Sequence, residues 1–188
     1  MRALIGIAGV TLLLAACGQA SDTNNVAVAE PESNLSTSAA VPGEDLAALL
    51  GSEPRLRSLI EAAGMRPVLS GKEPYTILAP SAAALDALPA GTLERLATPE
   101  QKAELTALLR AHILPGTILS ADLARAVESG GGKATVATMA GEPLTVTRDG
   151  DAFRIARQGG SGARISGTEQ PARNGVVHQI DAVLGSST

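Results

Sequence analysis

Aromatic residues are nearly absent from this chain of 188 residues, which contains one Tyr, one Phe and no Trp. Proteins that stack sugars or nucleobases depend on such rings, so the composition argues against stacking on either ligand. The formal net charge of −4 also disfavours binding to a phosphate backbone, and we expect no nucleic-acid partner. Because 45% of the residues are hydrophobic, the core must be aliphatic, built from Leu, Val, Ile and Ala.

Cysteine and histidine, the ligands typical of zinc sites, are also scarce. The chain contains one cysteine, Cys17, which excludes an internal disulfide and a thiolate zinc cluster. His112 and His178 are the two histidines, and without a third ligand in view they make a poor zinc site. We expect both to bond backbone groups within the fold, with ligand binding or a pH switch as the alternative. No metal and no other cofactor is predicted.

The residue types of a serine hydrolase are present, but their pattern is not. Ser81, His112 and Asp122 could supply a nucleophile, a base and an acid, yet the chain has no Gly-x-Ser-x-Gly turn. Ser81 is better explained as a helix cap. The aspartates Asp86, Asp122 and Asp181 do not repeat at the spacing of a calcium-binding loop. We therefore predict that the protein is not an enzyme.

The amino terminus has the features of an export signal. Arg2 is followed by an apolar run over residues 3–14, which is too short to span a bilayer comfortably. The run ends in Leu14-Ala15-Ala16-Cys17, which resembles the bacterial lipobox. The resemblance implies a signal peptide over residues 1–16 and a lipid on Cys17. If the cell is Gram-negative, Gly18 at the next position implies sorting to the outer membrane. An ordinary signal peptide with a chance cysteine is the alternative.

Residues 17–42 are predicted to be the lipidated cysteine and a flexible tether, and residues 43–186 a single folded domain. Small and polar residues dominate the tether, which shows neither helical nor strand periodicity. Such a segment cannot bury enough apolar surface to offset its chain entropy. As a coil it would hold the domain about 25–30 Å from a membrane.

The first half of the domain shows mostly helical patterns. One-sided apolar spacing predicts helices over residues 44–50 and 54–63, the second ending at Gly64. Ser81 is placed to cap a helix that Pro89 ends. Thr98 and Gln101 have capping-box spacing before another helix. A further short helix is expected over residues 120–127.

Strand patterns surround and follow these helices. A short strand over residues 75–78 is expected to end before Pro80, which cannot donate to a ladder. Residues 135–139, 144–147 and 153–155 alternate with the period of strands, and residues 175–184 are long enough to be central in a sheet. Helices followed by a meander predict an α+β fold rather than a doubly wound one.

Three motifs in order resemble the fasciclin domain. They occupy residues 75–89, residues 108–116 with 119–123, and residues 174–181, so the resemblance covers about residues 43–185. It implies a wedge of β-strands with several helices packed against it. It also implies adhesion or protein–protein contact at a cell surface, without catalytic residues. The residues that carry the motifs are Tyr75, Pro80, Ser81, His112, Pro115, Gly116, Asn174, Gly175, His178 and Asp181.

One departure from the family pattern affects the functional hypotheses. Leu78 and Leu85 stand where the family usually has Phe, so the core is even less aromatic. The favoured hypothesis is a membrane-anchored contact domain whose partner is an unidentified envelope or extracellular protein or a matrix component. The alternative is a carrier of a small apolar ligand, such as a lipid or pigment, in a cleft that the aliphatic core leaves unfilled. Pro115-Gly116 and Asn174-Gly175 either form turns only or shape loops for a partner.

Overall fold

The structure is a computed structural model that describes residues 43–185 except 159, 161 and 168. The predictions for the signal peptide (1–16) and for Cys17 and the tether (17–42) lie outside the described residues. Within the described part, helices and two four-stranded sheets form one unit, and the predicted α+β class is confirmed. None of the helices described is long and apolar enough to cross a bilayer.

The helices are α1 (Leu46–Leu50), α2 (Pro54–Ala63), α3 (Arg66–Leu69), α4 (Ala82–Asp86), α5 (Thr92–Leu96), α6 (Lys102–Ala111) and α7 (Ser120–Ser129). A 3-10 turn, Pro99–Gln101, precedes α6. The strands are β1 (Tyr75–Pro80), β2 (Ile113–Pro115), β3 (Lys133–Ala137), β4 (Pro143–Asp149), β5 (Ala152–Arg157), β6 (Gly162–Arg164), β7 (Gln170–Ala172) and β8 (Gly175–Ile180).

The strands form two sheets with different topologies. Sheet A has the order β2-β1-β8-β7, and its central pair, β1 and β8, is parallel. Tyr75 on β1 lies opposite Gly175 on β8, so this pairing joins segments that are far apart in the chain. Sheet B is the antiparallel meander β3-β4-β5-β6.

Both faces of sheet A are buried. One face, which carries Tyr75, Ile77 and Val177, packs against helices α1, α2, α3, α5 and α6. The opposite face, which carries Leu78 and Ile180, packs against α7 and the inner face of sheet B. Val146, Phe153 and Ile155 of sheet B are buried there, as the two-residue period predicts. Sheet A therefore forms the middle layer of the described domain.

Pro80 does not end the first strand, contrary to the prediction. Strand β1 continues through Pro80, which lies opposite Ile180, and the Ser81 N–H then donates to the Ile180 carbonyl at 2.9 Å. The last bond from β1 to the β2 side is donated by the Leu78 N–H to the His112 carbonyl. The nitrogen of Pro80 faces the side where β2 has already ended. No described strand there could accept a hydrogen bond from this position, so the lack of an N–H on proline costs nothing.

Several predicted helix boundaries were wrong. Helix α4 stops at Asp86 rather than continuing to Pro89. The Thr98 side chain makes no cap bond; its hydroxyl donates to the Arg95 carbonyl, and α6 begins only at Lys102. Helix α7 extends to Ser129, and its first turn is capped by Asp122, whose carboxylate accepts from the Leu119 N–H at 3.0 Å.

The shortest elements escaped the periodicity analysis. It missed α3, α5, β2, β6 and β7, which contain three to five residues each. Strand β3 begins two residues earlier than predicted, and β8 ends at Ile180 instead of reaching residue 184. So few residues complete at most one or two periods, and tertiary pairing decides whether they form an element.

Candidate functional site

The motif residues are brought together along the central strands of sheet A and in the segments that flank them. Tyr75 and Pro80 lie on β1, and Gly175 and His178 lie on β8. Four others flank the strands or lie on short β2: His112, Pro115, Gly116 and Asn174. The described contacts show what each side chain does.

Asn174 joins three parts of the domain just before β8. Its side-chain Oδ1 accepts from the Leu46 N–H at 2.9 Å, at the start of α1. Its Nδ2 donates to the carbonyls of Leu69 and Gly71 at 2.8 and 2.9 Å, at the end of α3. Asn174 is 6% exposed, and its bonds to Leu46 and Leu69 are buried, so those two backbone groups have no solvent to replace it.

A second set of bonds holds the segment between β2 and α7. The Thr76 hydroxyl donates to the Gly116 carbonyl and accepts from the Ile118 N–H, both at 2.8 Å. The Nε2 of His178 lies 2.7 Å from the Ile118 carbonyl, so Nε2 carries the proton and donates. Gly116 has φ +86°, a conformation that favours glycine. The turn chemistry expected of Pro115-Gly116 is therefore present.

The remaining motif side chains act on nearby backbone or side-chain groups. The Ser81 hydroxyl accepts from the Ala84 N–H at 3.1 Å, which is the predicted N-cap of α4. The Asp181 carboxylate accepts from the Arg164 N–H at 2.7 Å. The Tyr75 hydroxyl donates to the Glu73 carboxylate at 2.7 Å, and this bond, together with burial, raises the pKa of Tyr75 above 10.0.

His112 is held between α6 and the carboxyl-terminal segment. Its Nδ1 lies 2.8 Å from the Leu108 carbonyl, and its Nε2 accepts from the Leu184 N–H at 3.0 Å. An Nε2 that accepts is unprotonated, so this arrangement requires the neutral ring with its proton on Nδ1. Burial lowers the pKa of His112 from 6.5 to about 4, and the nearby Arg157 acts in the same direction.

The low pKa of His112 predicts that acid destabilises the domain. The unfolded chain takes up a proton near pH 6.5, whereas the folded chain resists protonation until about pH 4. The contribution is complete above pH 6.5 and is lost as the pH falls toward 4, for a total of about 3 kcal/mol in the free energy of unfolding. Urea denaturation followed by circular dichroism at several pH values measures this loss.

A His112→Gln variant is the control for this pH dependence. Glutamine keeps one donor and one acceptor but does not titrate, so its stability should stay flat between pH 6.5 and 5. Carboxylates contribute at lower pH in both proteins, which restricts the comparison to this window. An equal slope in the variant would assign the effect to other groups.

Each of the three residue types that a serine hydrolase would need forms a hydrogen bond to a backbone group here. Ser81 and His112 bond to backbone groups as described, and the Asp122 carboxylate accepts from the Leu119 N–H and pairs with Arg125. Within the described residues, no group of three or more His, Cys, Asp or Glu side chains could hold a metal ion. The hydrogen bonds described for the motif side chains are therefore made within the domain.

An apolar cavity lies between the helices and sheet A, where the carrier hypothesis requires a cleft. Its volume is about 40 Å³, and its lining includes Leu56, Leu59, Ile77, Leu85, Leu109 and His112. This space is large enough for a few water molecules, whereas small-molecule pockets occupy about 300–1,000 Å³. A lipid or pigment could enter only if the helices moved away from sheet A, so the geometry disfavours the carrier hypothesis.

A larger groove lies on the surface between α5, α6 and the β3–β4 turn. Its volume is about 630 Å³, and its floor includes Leu96, Leu108 and Ala111. Two ion pairs, Arg95 with Glu104 and Arg157 with Glu142, line the groove. The lining of the groove is therefore mixed, with apolar side chains on its floor and charged pairs at its sides.

Sequence reasoning missed three residues that organise these contacts. Thr76 anchors the segment before α7, Glu73 accepts from Tyr75, and Glu169 accepts from the Ser120 N–H at 2.7 Å. Thr76 carried no sequence signal, because threonine is common in strands and its partners lie about 40 residues away. Glu73 is two residues from Tyr75 and was the one candidate that local spacing could have suggested.

Comparison with known proteins gives consistent matches over the described domain. The model of the fasciclin domain family matches residues 54–186. Protein sll1483 of Synechocystis is 33% identical over 185 residues, covering 94% of this chain and 96% of that protein. A structure of a FAS1 domain pair from the insect cell adhesion molecule fasciclin I has a TM-score of 0.51 at 24% identity. It matches 71% of this chain and 46% of the solved chain, and it shows the fold.

Two animal proteins match over a smaller share of their length. The transforming growth factor-beta-induced protein ig-h3 of Sus scrofa is 38% identical over 130 residues, which is 69% of this chain but 17% of that protein. Stabilin-1 of Mus musculus is 34% identical over 130 residues, again 69% of this chain and 5% of its own length. In both cases the present chain corresponds to one part of a much longer protein.

Proposed function

Because this chain belongs to the fasciclin domain family, we propose that it is a contact domain that attaches to a protein or matrix component at the cell envelope. The chain would be exported, anchored through a lipid on Cys17 and held on a tether at the outer membrane. Its partner would be an envelope or extracellular protein or a matrix component. The domain would work by binding, without catalysis.

The observation that carries this proposal is that side chains in the motifs form hydrogen bonds inside the domain. Asn174, Thr76, His112 and His178 are buried and bond to backbone groups, so they hold the layers together. A domain whose motif residues stabilise its own scaffold leaves its exposed surface for contact with partners. The adhesive role named for the insect molecule of the same fold agrees with a contact function.

The anchor is tested by metabolic labelling. Cells supplied with a radiolabelled fatty acid should incorporate label into the wild-type chain, because the proposed lipid is attached to Cys17. The Cys17→Ala variant should carry no label and should be released from the membrane fraction. Since Cys17 is the one cysteine of the chain, a variant that still carries label would contradict lipidation of a thiol.

The contact function is tested separately by cell attachment. Host cells that lack the gene should attach less to neighbouring cells or to a deposited matrix than the parent cells do. Wild-type protein should restore attachment, whereas the Cys17→Ala variant should restore little of it, because the domain is no longer held at the surface. Unchanged attachment after deletion would refute an adhesive role.

A further inference from the structure

We propose that the outer face of sheet B binds an acidic, carboxylate-bearing polysaccharide. This face consists of the side chains that point away from α7 and sheet A: Lys133, Thr135, Ala137, Pro143, Thr145, Thr147, Asp149, Ala152, Arg154, Ala156, Gly162 and Arg164. The assignment rests on the contact function proposed above and names the chemical class of one partner.

Strand register places three cations in one row across this face. Lys133 on β3 lies opposite Thr147 on β4, and Thr147 lies opposite Arg154 on β5. Arg154 in turn lies opposite Arg164 on β6. Because neighbouring strands are about 4.8 Å apart, the row of four side chains spans about 14 Å perpendicular to the strands. Lys133, Arg154 and Arg164 are exposed, and Thr147 is half-buried.

The row is a cationic site on an acidic chain. Among the described residues, neither Lys133 nor Arg154 has a carboxylate at ion-pairing distance, whereas Arg164 pairs with Asp149 at 2.7 Å. Arg154 and Arg164 are directly opposite each other on adjacent strands, an arrangement of like charges that destabilises a sheet. The outer face therefore carries an excess of positive charge, although the whole chain has a net charge of −4. An anionic partner would offset the repulsion.

The surroundings of the row leave space for an extended ligand. The next row along the strands is Thr135, Thr145, Ala156 and Gly162, which has no long side chain. A Cβ at Gly162 would lie 3.0 Å from the Arg154 Nε, so the arginine side chain passes close over the glycine. A polymer could therefore lie beside the cations over Thr135, Thr145 and Ala156, while the Arg154 side chain covers Gly162.

The chemistry of the face favours an acidic polysaccharide over an acidic protein. The face holds no aromatic and no apolar side chain larger than proline, so of the residues enriched in protein-interface hot spots, Trp, Tyr and Arg, it offers only Arg. Lys133 and Arg154 are two strand spacings apart, about 10 Å, and Arg154 and Arg164 are one spacing apart, about 5 Å. Carboxylates on an extended sugar chain could therefore reach the cations, while a sugar between Lys133 and Arg154 would face Thr147. Arg and Lys would bind the carboxylates, and Thr147 would hydrogen-bond a sugar hydroxyl. This binding does not require the aromatic stacking that the composition excludes.

Alginate oligosaccharide immobilised on a sensor is the probe, and the full chain is applied in a non-ionic detergent. We expect binding that weakens as sodium chloride is raised, because exposed charge pairs are screened. Dextran, which lacks carboxylates, should not bind. Poly-glutamate and vesicles containing anionic phosphatidylglycerol should bind at least tenfold more weakly, and equal affinity for either would overturn the assignment to a polysaccharide.

Paired variants locate the site. The double variant Lys133→Ala/Arg154→Ala should lose about tenfold in affinity for alginate. The matched double variant Lys102→Ala/Arg110→Ala removes the same two residue types from α6 and should retain wild-type affinity. Equal losses in both double variants would show that net charge, rather than this face, causes binding. Circular dichroism melting confirms that each variant is folded before its affinity is compared.

The two levels of the proposal fail in different ways. A chain that supports cell attachment but does not bind alginate overturns the assignment of the outer face and leaves the contact function standing. A chain that binds alginate through Lys133 and Arg154 while gene deletion leaves attachment unchanged supports the face and refutes the adhesive role.

Thr147→Val, which keeps the side-chain shape but removes the hydroxyl, should weaken alginate binding about threefold.

Discussion

Substitution of Gly175 by alanine is expected to destabilise the domain by at least about 4 kcal/mol, a large fraction of the roughly 5–15 kcal/mol that typically stabilises a domain. Gly175 begins β8 with φ +152°, in a region that L side chains rarely adopt. A Cβ at this position would overlap the carbonyl oxygen of Tyr75 on the adjacent strand and would lie 3.0 Å from Leu46 Cδ1. The overlap can be relieved only if β1 and β8 separate, and these are the central strands of sheet A.

A matched substitution separates the steric cause from the conformational one. Gly141 has φ +82° in the β3–β4 turn, and a Cβ there would meet no atom within 4 Å. Gly141→Ala should therefore cost only the strain of the left-handed conformation, about 1–2 kcal/mol. Urea denaturation of both variants gives the comparison. Equal losses would contradict the overlap with Tyr75 as the main cause.

The second large effect is expected for Asn174→Ala, at about 4 kcal/mol in the free energy of unfolding. The substitution removes three hydrogen bonds and leaves the Leu46 N–H and the carbonyls of Leu69 and Gly71 without this partner. Each buried group that loses its partner costs about 1–3 kcal/mol. The loss should be concentrated in the attachment of α1 and α3 to the end of β8, so hydrogen exchange should quicken there first.

The neighbouring residue provides the control for Asn174. Arg173 is exposed, and its guanidinium lies 3.5 Å from the Asp45 carboxylate. An exposed ion pair contributes about 0–1 kcal/mol, so Arg173→Ala should change stability little although it alters the same turn. Denaturation curves of the two variants test the difference. A loss below 1 kcal/mol for Asn174→Ala would show that the three bonds are replaced by other contacts.

These two positions bear on function because β8 supports both layers of the domain. One face of β8 contributes Val177 to the helical side, and the other contributes Ile180 to the core shared with sheet B. A change at the start of β8 would therefore disturb the groove and the outer face of sheet B together. Loss of binding in such variants would report unfolding, which is why the binding tests use exposed residues instead.

Local chemistry made a substantial part of this fold predictable. The Ser81 cap of α4, the Gly64 stop of α2 and the inward direction of Val146, Phe153 and Ile155 were all found in the structure as predicted. Each depends on interactions within one or two turns or on the two-residue strand period, so the necessary information lies within a few residues. The continuation of β1 through Pro80 was missed because it depends on which neighbouring strand had already ended.

What the sequence by itself determined is the class of protein, through the α+β pattern and the family motifs. Only the tertiary structure decided which groups the motif side chains bond to and which side chains lie together on the surface. Asn174 and Leu46 are 128 residues apart, and Thr76 and Ile118 are 42 apart, so no local pattern could pair them. The row of Lys133, Arg154 and Arg164 likewise exists only because strand register aligns three separate strands. Such contacts join residues that are distant in the sequence, and they form only when the whole domain packs.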